Sequence, residues 1–252
     1  MLEITIYKVA HSTEREAKKL IHYIRSSNVW APEHPFQTEE RAEVSERNWA
    51  KMMKLGLSRT EFNKRLAIEV READGPQRIG YAPPSSVHRL KVHEYMFRNN
   101  NMFYSAERWR SDLEAGVARE LSDQGYEIEH KARMMILGGK LEEGLGLIME
   151  AYMLMGQSTE KRDQNIAENL ESAEDNLRVA YPDIGEVIKL GISLGYAHQP
   201  EKFANVPVSV LNLASGSGFY HEIHRMIKER VAVADAVPIL KKILEKNPSV
   251  IH

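Results

Sequence analysis

An α/β fold is expected for this chain, with a small, mainly parallel sheet and a large helical insertion that leaves it helix-rich overall. Three observations point there. Short β-rich runs stand near both ends of the chain, at residues 2–9 and 206–213. The first runs directly into a charged pattern of helical period, giving the order strand, turn, helix. Between the two ends, residues 37–180 are dominated by helical patterns. The organisation expected is therefore one α/β domain over residues 1–252, with a helical insertion or cap at 37–180.

Each element has its own warrant. Residues 2–9 combine Ile4, Ile6 and Val9 with the β-favouring Thr5 and Tyr7. Ala17, Leu20, Ile21 and Ile24 recur three and four apart, so residues 12–25 carry one apolar helical face. Ser12 or Thr13 supplies an N-cap there, and Glu14 and Glu16 place carboxylates in the first turn. Asn28-Val29-Trp30-Ala31 reads as a second strand closed by Pro32 and Pro35, so residues 2–36 form a β-α-β module with a parallel strand pair. Helical patterns follow over 37–73. After the turn signals Asp74-Gly75-Pro76 and Pro83-Pro84 they resume over 86–156, with breaks expected at 99–101, at Asp123-Gln124-Gly125 and at Gly138-Gly139. Residues 141–155 are rich in Leu, Ile and Met, and a core helix is favoured there over a cofactor-facing methionine stripe. A helix over 160–179, an apolar run over 186–196, a strand-like alternation over 206–213 and amphipathic stretches over 219–232 and 237–244 complete the chain.

The composition excludes several function classes. With 252 residues, 42% apolar and 28% charged, the chain lies outside the disordered class. It has no cysteine, which excludes disulfide scaffolds, cysteine–zinc sites, iron–sulfur ligation and a cysteine nucleophile. Lys and Arg number 34 against 36 Asp and Glu, for a net charge of −2, so a dominant phosphate-tracking surface and a nucleic-acid partner are disfavoured. No stretch approaches the roughly eighteen uninterrupted apolar residues of a membrane span. Residues 1–19 lack the continuous apolar core of a signal peptide. A cytoplasmic protein with no membrane partner is expected.

The chemistry concentrates where strands end. His11 follows the first strand, in Val9-Ala10-His11-Ser12-Thr13-Glu14, at the kind of position where α/β folds hold ligands. Glu33 stands at the exit of the second strand, and His198 follows the apolar run and the turn Gly195-Tyr196-Ala197. Imidazoles and carboxylates meeting at strand ends can activate water, by general base catalysis or through a bound divalent metal held by His11, Glu33 and His198. Taken singly, each of these residues is also explained by a surface or capping role.

These residues carry a family resemblance. Val9-Ala10-His11 with Glu14, the strand-then-acid run from Val29 to Glu33, Arg162-Asp163-Gln164-Asn165-Ile166-Ala167-Glu168-Asn169 and Gly195-Tyr196-Ala197-His198 occur in the order found in the superfamily of erythromycin esterases, ChaN-like haem-uptake proteins and TraB/Tiki proteins, which the chain resembles. Lys8 stands where the first motif has glycine, and Ile166 where the helix motif has methionine. The resemblance implies a cleft in which His11, Glu14, Glu33 and His198 are acid, base or metal-ligand groups. It gives Arg162 and Asn165 the substrate-orienting role. An exposed helix start is the ordinary explanation of residues 162–169.

Weaker signals have structural explanations. Ser215-Gly216-Ser217-Gly218 lacks the P-loop lysine, and His221 and His224 are three apart where the zinc helix motif spaces its histidines four apart. Residues 50–66 resemble a helix-turn-helix with Arg59, Asn63, Lys64 and Arg65 on its second helix, a pattern that ordinary helical hairpins share. Glu142-Glu143 with Glu171, Glu174 and Asp175 are similar to the magnesium-holding acids of all-α pyrophosphohydrolases, but Gly146 occupies a position that needs an acid. Two functions are left. One is a hydrolase of a small-molecule or peptide ester or amide, for which His11→Ala would abolish turnover at nearly unchanged melting temperature. The other is a non-catalytic binding or regulatory protein, whose nucleic-acid version would use residues 50–66.

Overall fold

The computed structural model describes residues 1–9, 14–31, 33, 38–40, 42, 43, 47, 102–203, 205–214 and 219–246. The chain divides into two compact units, one of Met1–Asp112 with Asp163–Ser215 and one of Leu113–Arg162 with Gly216–His252.

The first unit holds a five-stranded, all-parallel sheet built from β1 (Leu2–Val9), β2 (Val29–Ala31), β3 (Met102–Phe103), β4 (Ile188–Gly195) and β5 (Val208–Asn212), in the order β3-β2-β4-β1-β5. The α/β class is thus the one read from the chain ends. The strand neighbours differ from expectation. β1 and β2 are not a pair: β4 lies between them, with Val9 opposite Gly195 on one side and Ala31 opposite Ile192 on the other. The burial of β4 explains why it takes the centre. Its residues from Leu190 to Leu194 are buried on both faces, the signature of an inner strand of a parallel sheet. β3 falls inside the block read as helix. Two residues are too short for any period, and this strand is defined only by its partner, through Met102 N–H donating to Asn28 O and Tyr104 N–H to Trp30 O.

Helix α1 (Glu14–Ile24) buries Leu20 and Ile24, the face its spacing predicts. Tyr7 of β1 stacks on Trp30 of β2 at 5.5 Å and meets Tyr23 of α1 at 5.4 Å. Trp30 in turn fills the space over Gly191 of β4, where an added Cβ would lie 2.5 Å from the indole and 2.6 Å from Ser27 Oγ. Both obstacles are buried or held in a turn, so Gly191→Ala is expected to cost about 1–3 kcal/mol by overpacking, measurable as a drop in the urea midpoint at unchanged m-value.

The second unit is helical. It contains α2 (Asp112–Leu137) from Leu113 onward, the part of α3 (Leu141–Glu171) up to Arg162, α5 (Phe219–Lys228) and α6 (Val233–Lys246); α4 (Ala173–Ala180) belongs to the first unit. The break expected at 123–125 does not occur. Gly125 instead lies against α3, where a Cβ would meet Met155 Cγ at 2.6 Å and Ala151 O at 2.9 Å, so the glycine marks a close helix approach and not a helix end. The break at Gly138-Gly139 is present, with Gly139 at φ +84°. The helices expected over 141–156 and 160–179 are one continuous α3 followed, after Ser172, by α4. Met149 is fully buried in the core with Leu145, Ile148, Phe219 and Ile223, while Met153 is 43% exposed, as a core helix with one wet side requires.

Candidate functional site

β2 and β4 are neighbours whose onward connections diverge. β2 leads outward to β3, whereas β4 leads the other way, past β1, to β5. Such a boundary opens a crevice beyond the carboxyl ends of the strands, where open parallel sheets hold their ligands. Glu33 follows β2 by two positions and His198 follows β4 by three, so both belong to that crevice edge.

The structure joins these two residues. Glu33 Oε2 accepts the Gly195 N–H at 2.7 Å, and Glu33 Oε1 lies 3.1 Å from His198 Nε2. Gly195 leaves room for this approach, since a Cβ there would stand 3.3 Å from Oε2. The other ring nitrogen, Nδ1, is 2.5 Å from Asp163 Oδ1 on α3, and Asp163 Oδ2 accepts the Gln199 N–H at 2.8 Å. His198 is 1% exposed, and the side chains of both carboxylates are 11% exposed. An ionised carboxylate only accepts, so a ring held between two of them donates from both nitrogens and is an imidazolium. Burial works against that charge, but the Coulombic pull of Asp163 and Glu33 and their hydrogen bonds outweigh it and raise the His198 pKa to about 9.

A stability profile follows from that shift. At pH values below 6.5 the folded and unfolded chains both hold the proton, and the contribution is fully present. Between 6.5 and about 9 the unfolded chain releases the proton and the fold keeps it, so stability falls as pH rises and the contribution is gone above about 9. Urea unfolding across this window is expected to show a loss of up to about 3 kcal/mol that His198→Gln lacks. Identical pH slopes for the two proteins would rule the imidazolium out.

The other expected site residues are distributed differently. His11 lies outside the described residues, as do residues 50–66 and 215–218, and so does the side chain of Glu14. Arg162 is half-buried on α3. Asn165 is engaged by the main chain after β3: its Oδ1 accepts the Arg108 N–H at 3.0 Å and its Nδ2 donates to Arg108 O at 2.6 Å. Asn169 adds bonds to Ala106 O and Arg108 O, so both asparagines fasten the segment after β3 to α3. In that segment Ser105, Glu107 and Arg108 are buried, Trp109 Nε1 donates to Glu107 Oε1 at 2.9 Å, and the Arg108 guanidinium lies over the Tyr104 ring at 4.8 Å. Asp163 is the residue of the 162–169 run that reaches the imidazole. One signal in the sequence marks it: Asp163, Ile166 and Leu170 share helical spacing, a carboxylate on an otherwise apolar stripe.

Among the described residues, which do not include His11, the donor set does not fit a resident metal. A ligating imidazole offers a nitrogen lone pair, and both nitrogens of His198 are directed at carboxylates instead. Among the described residues, no group of three or more His, Asp or Glu is arranged to hold a metal ion. His221 and His224 form no such group either: His221 is exposed, and His224 meets the Tyr152 ring edge-on at 5.3 Å. Glu142 pairs with Lys241, and Glu174 with Arg178 and the N-terminal ammonium, which accounts for these acids as surface ion pairs.

The chain matches no family model, no curated protein and no solved structure. No helix among the described residues is long and apolar enough to cross a membrane.

Proposed function

We propose that the edge formed by Glu33, His198 and Asp163 is the catalytic centre of a hydrolase that cleaves an ester or amide carbonyl in a small-molecule or peptide substrate, working in the cytoplasm. The observation that carries this reading is the fixing of Glu33 at the divergence of β2 and β4, by the Gly195 N–H on one oxygen and the imidazolium on the other. A carboxylate so held is preorganised for proton transfer.

In the proposed reaction Glu33 takes a proton from water as the water oxygen bonds to the carbonyl carbon. The tetrahedral intermediate collapses with cleavage of the bond to the leaving oxygen or nitrogen, and protonated Glu33 returns the proton to that atom. The products are a carboxylic acid and an alcohol or amine. His198, oriented by Asp163, keeps a positive charge beside the site while negative charge moves from Glu33 to the substrate oxygen. No step passes through a metal. The order of motifs shared with the erythromycin esterase and TraB-like superfamily also supports hydrolysis, with Glu33 and His198 in the roles that the resemblance implies.

The test is a panel of esters, lactones and peptides assayed with the wild-type chain and Glu33→Gln. Turnover by the wild type that the variant loses supports the reading. No turnover of any substrate, or equal turnover by both proteins, overturns it and leaves a binding role.

A further inference from the structure

The sheet of the first unit ends differently at its two edges. β3 offers only two residues, whereas β5 offers five, Val208–Asn212, and pairs among the described residues only with β1. All-parallel sheets are normally covered on both faces. β5 is not. Its side chains alternate between the faces, and Val210 on one and Leu211 on the other are 39% and 41% exposed, with Ser209 and Asn212 exposed beside them. Edge strands are ordinarily guarded by charge, proline or a bulge. Residues 208–212 contain no Asp, Glu, Lys, Arg or Pro, and they match β1 residue for residue without a bulge. The main chain is on offer too. Leu213 N–H donates to Lys8 O, so by the two-residue alternation of the ladder Leu211 and Ser209 also face β1, while Val208, Val210 and Asn212 turn their N–H and C=O groups to the outer edge.

We propose that a second copy of this chain docks on this edge, β5 against β5 and antiparallel, across a two-fold axis through Val210 that joins the two sheets into one. The main-chain alternation selects this register. Val210 faces its own counterpart and Val208 faces Asn212 of the second copy, so outward-turned groups meet outward-turned groups and each such pair exchanges both its N–H···O bonds. A shift by one residue sets them against groups already spent on β1, and a shift by two loses a pair. The axis is perpendicular to the sheet, so each face continues into its like. The two exposed Val210 side chains then cover each other on one face, and Leu211 covers Ser209 of the second copy on the other. This self-match is what singles out a second copy as the occupant. A two-fold contact needs one patch complementary to itself, and β5 is neutral, apolar on both faces and matched in hydrogen-bond parity to its own reverse. β5 is separated from the β2 and β4 boundary by β1, so the proposal does not depend on the hydrolase reading.

Sedimentation equilibrium of the full wild-type chain over a concentration series is expected to show a monomer–dimer equilibrium. Val210→Lys sets two ammonium groups against each other across the axis and removes the valine contact, so it is expected to raise the dimer dissociation constant by roughly tenfold or more at an unchanged far-UV spectrum. The register has its own readout. The chain has no cysteine, so Val210→Cys can cross-link only to its counterpart. Opposed residues of a hydrogen-bonded antiparallel pair stand about 5.5 Å apart at Cα, within disulfide reach. With oxidised glutathione, Val210→Cys is expected to form disulfide dimers roughly tenfold faster than Ser209→Cys, whose counterpart is displaced along the strand. A wild-type chain that stays monomeric at every concentration overturns the proposal and leaves the edge to an extended segment of another protein. A dimer that Val210→Lys leaves intact overturns it by placing the interface elsewhere. Should Val210→Lys fail to fold, equal cross-linking rates for the two cysteine variants overturn it alone.

Discussion

His198→Ala is expected to lose about 3–5 kcal/mol of folding stability at pH 7, the largest effect of any single substitution considered for the first unit. The loss is not mainly packing. The imidazolium is the cation between Asp163 and Glu33, each of which is nearly buried and bonded to it, at 2.5 Å and 3.1 Å. Its removal leaves two largely buried carboxylates without their shared cation. The deficit has a diagnostic pH dependence. The contribution of the imidazolium is present at pH 7 and gone above about 9, so the difference between wild type and variant narrows as pH rises. Denaturant unfolding at pH 7 and pH 10 should therefore show a smaller gap between variant and wild type at the higher pH. An equal gap would mean that lost volume, and not lost charge, sets the cost.

For the proposed hydrolase, Glu33→Gln carries the largest expected effect on turnover, a fall in kcat of roughly a hundred- to ten-thousandfold at modest change in KM. The amide has nearly the shape of the carboxylate and keeps an oxygen to accept from Gly195 or His198, but it cannot take a proton from water. That separation of shape from basicity makes it a sharper test than alanine. Near-native melting with kcat lost places the proton transfer at Glu33. A variant that melts far below the wild type with its residual kcat intact would reduce Glu33 to a structural partner of His198.

The strands at both chain ends were legible because alternation and β-branched residues survive in a few positions, as in Ile4, Ile6 and Val9 or Val208 and Val210. Their order in the sheet was not, because neighbours in a parallel sheet are set by burial of whole strands, and nothing local in Val29-Trp30-Ala31 says that residues 188–195 will come between it and β1. β3 was hidden by its length. Gly125 was misread because a glycine that ends a helix and one that lets two helices touch are the same letter. Placing Glu33 and His198 as candidates rested on strand exits, a rule about topology. Arg162 and Asn165 follow from the motif resemblance, which assigns Asp163 no role, while the carboxylate that reaches the ring sits among Ile166 and Leu170 on the buried side of α3.

The sheet order has a consequence for biosynthesis. β1 finds both its hydrogen-bonding neighbours in residues 188–212, far from it in the sequence. A ribosome must add about 180 residues after β1 before that strand gains any ladder partner, and Ile4, Ile6 and Val9 stay without their final cover until then. Sequence-distant pairing of this kind slows folding and lengthens the interval in which an apolar segment can stick to other chains. A nascent chain of this protein should accordingly depend on holding chaperones until β4 emerges.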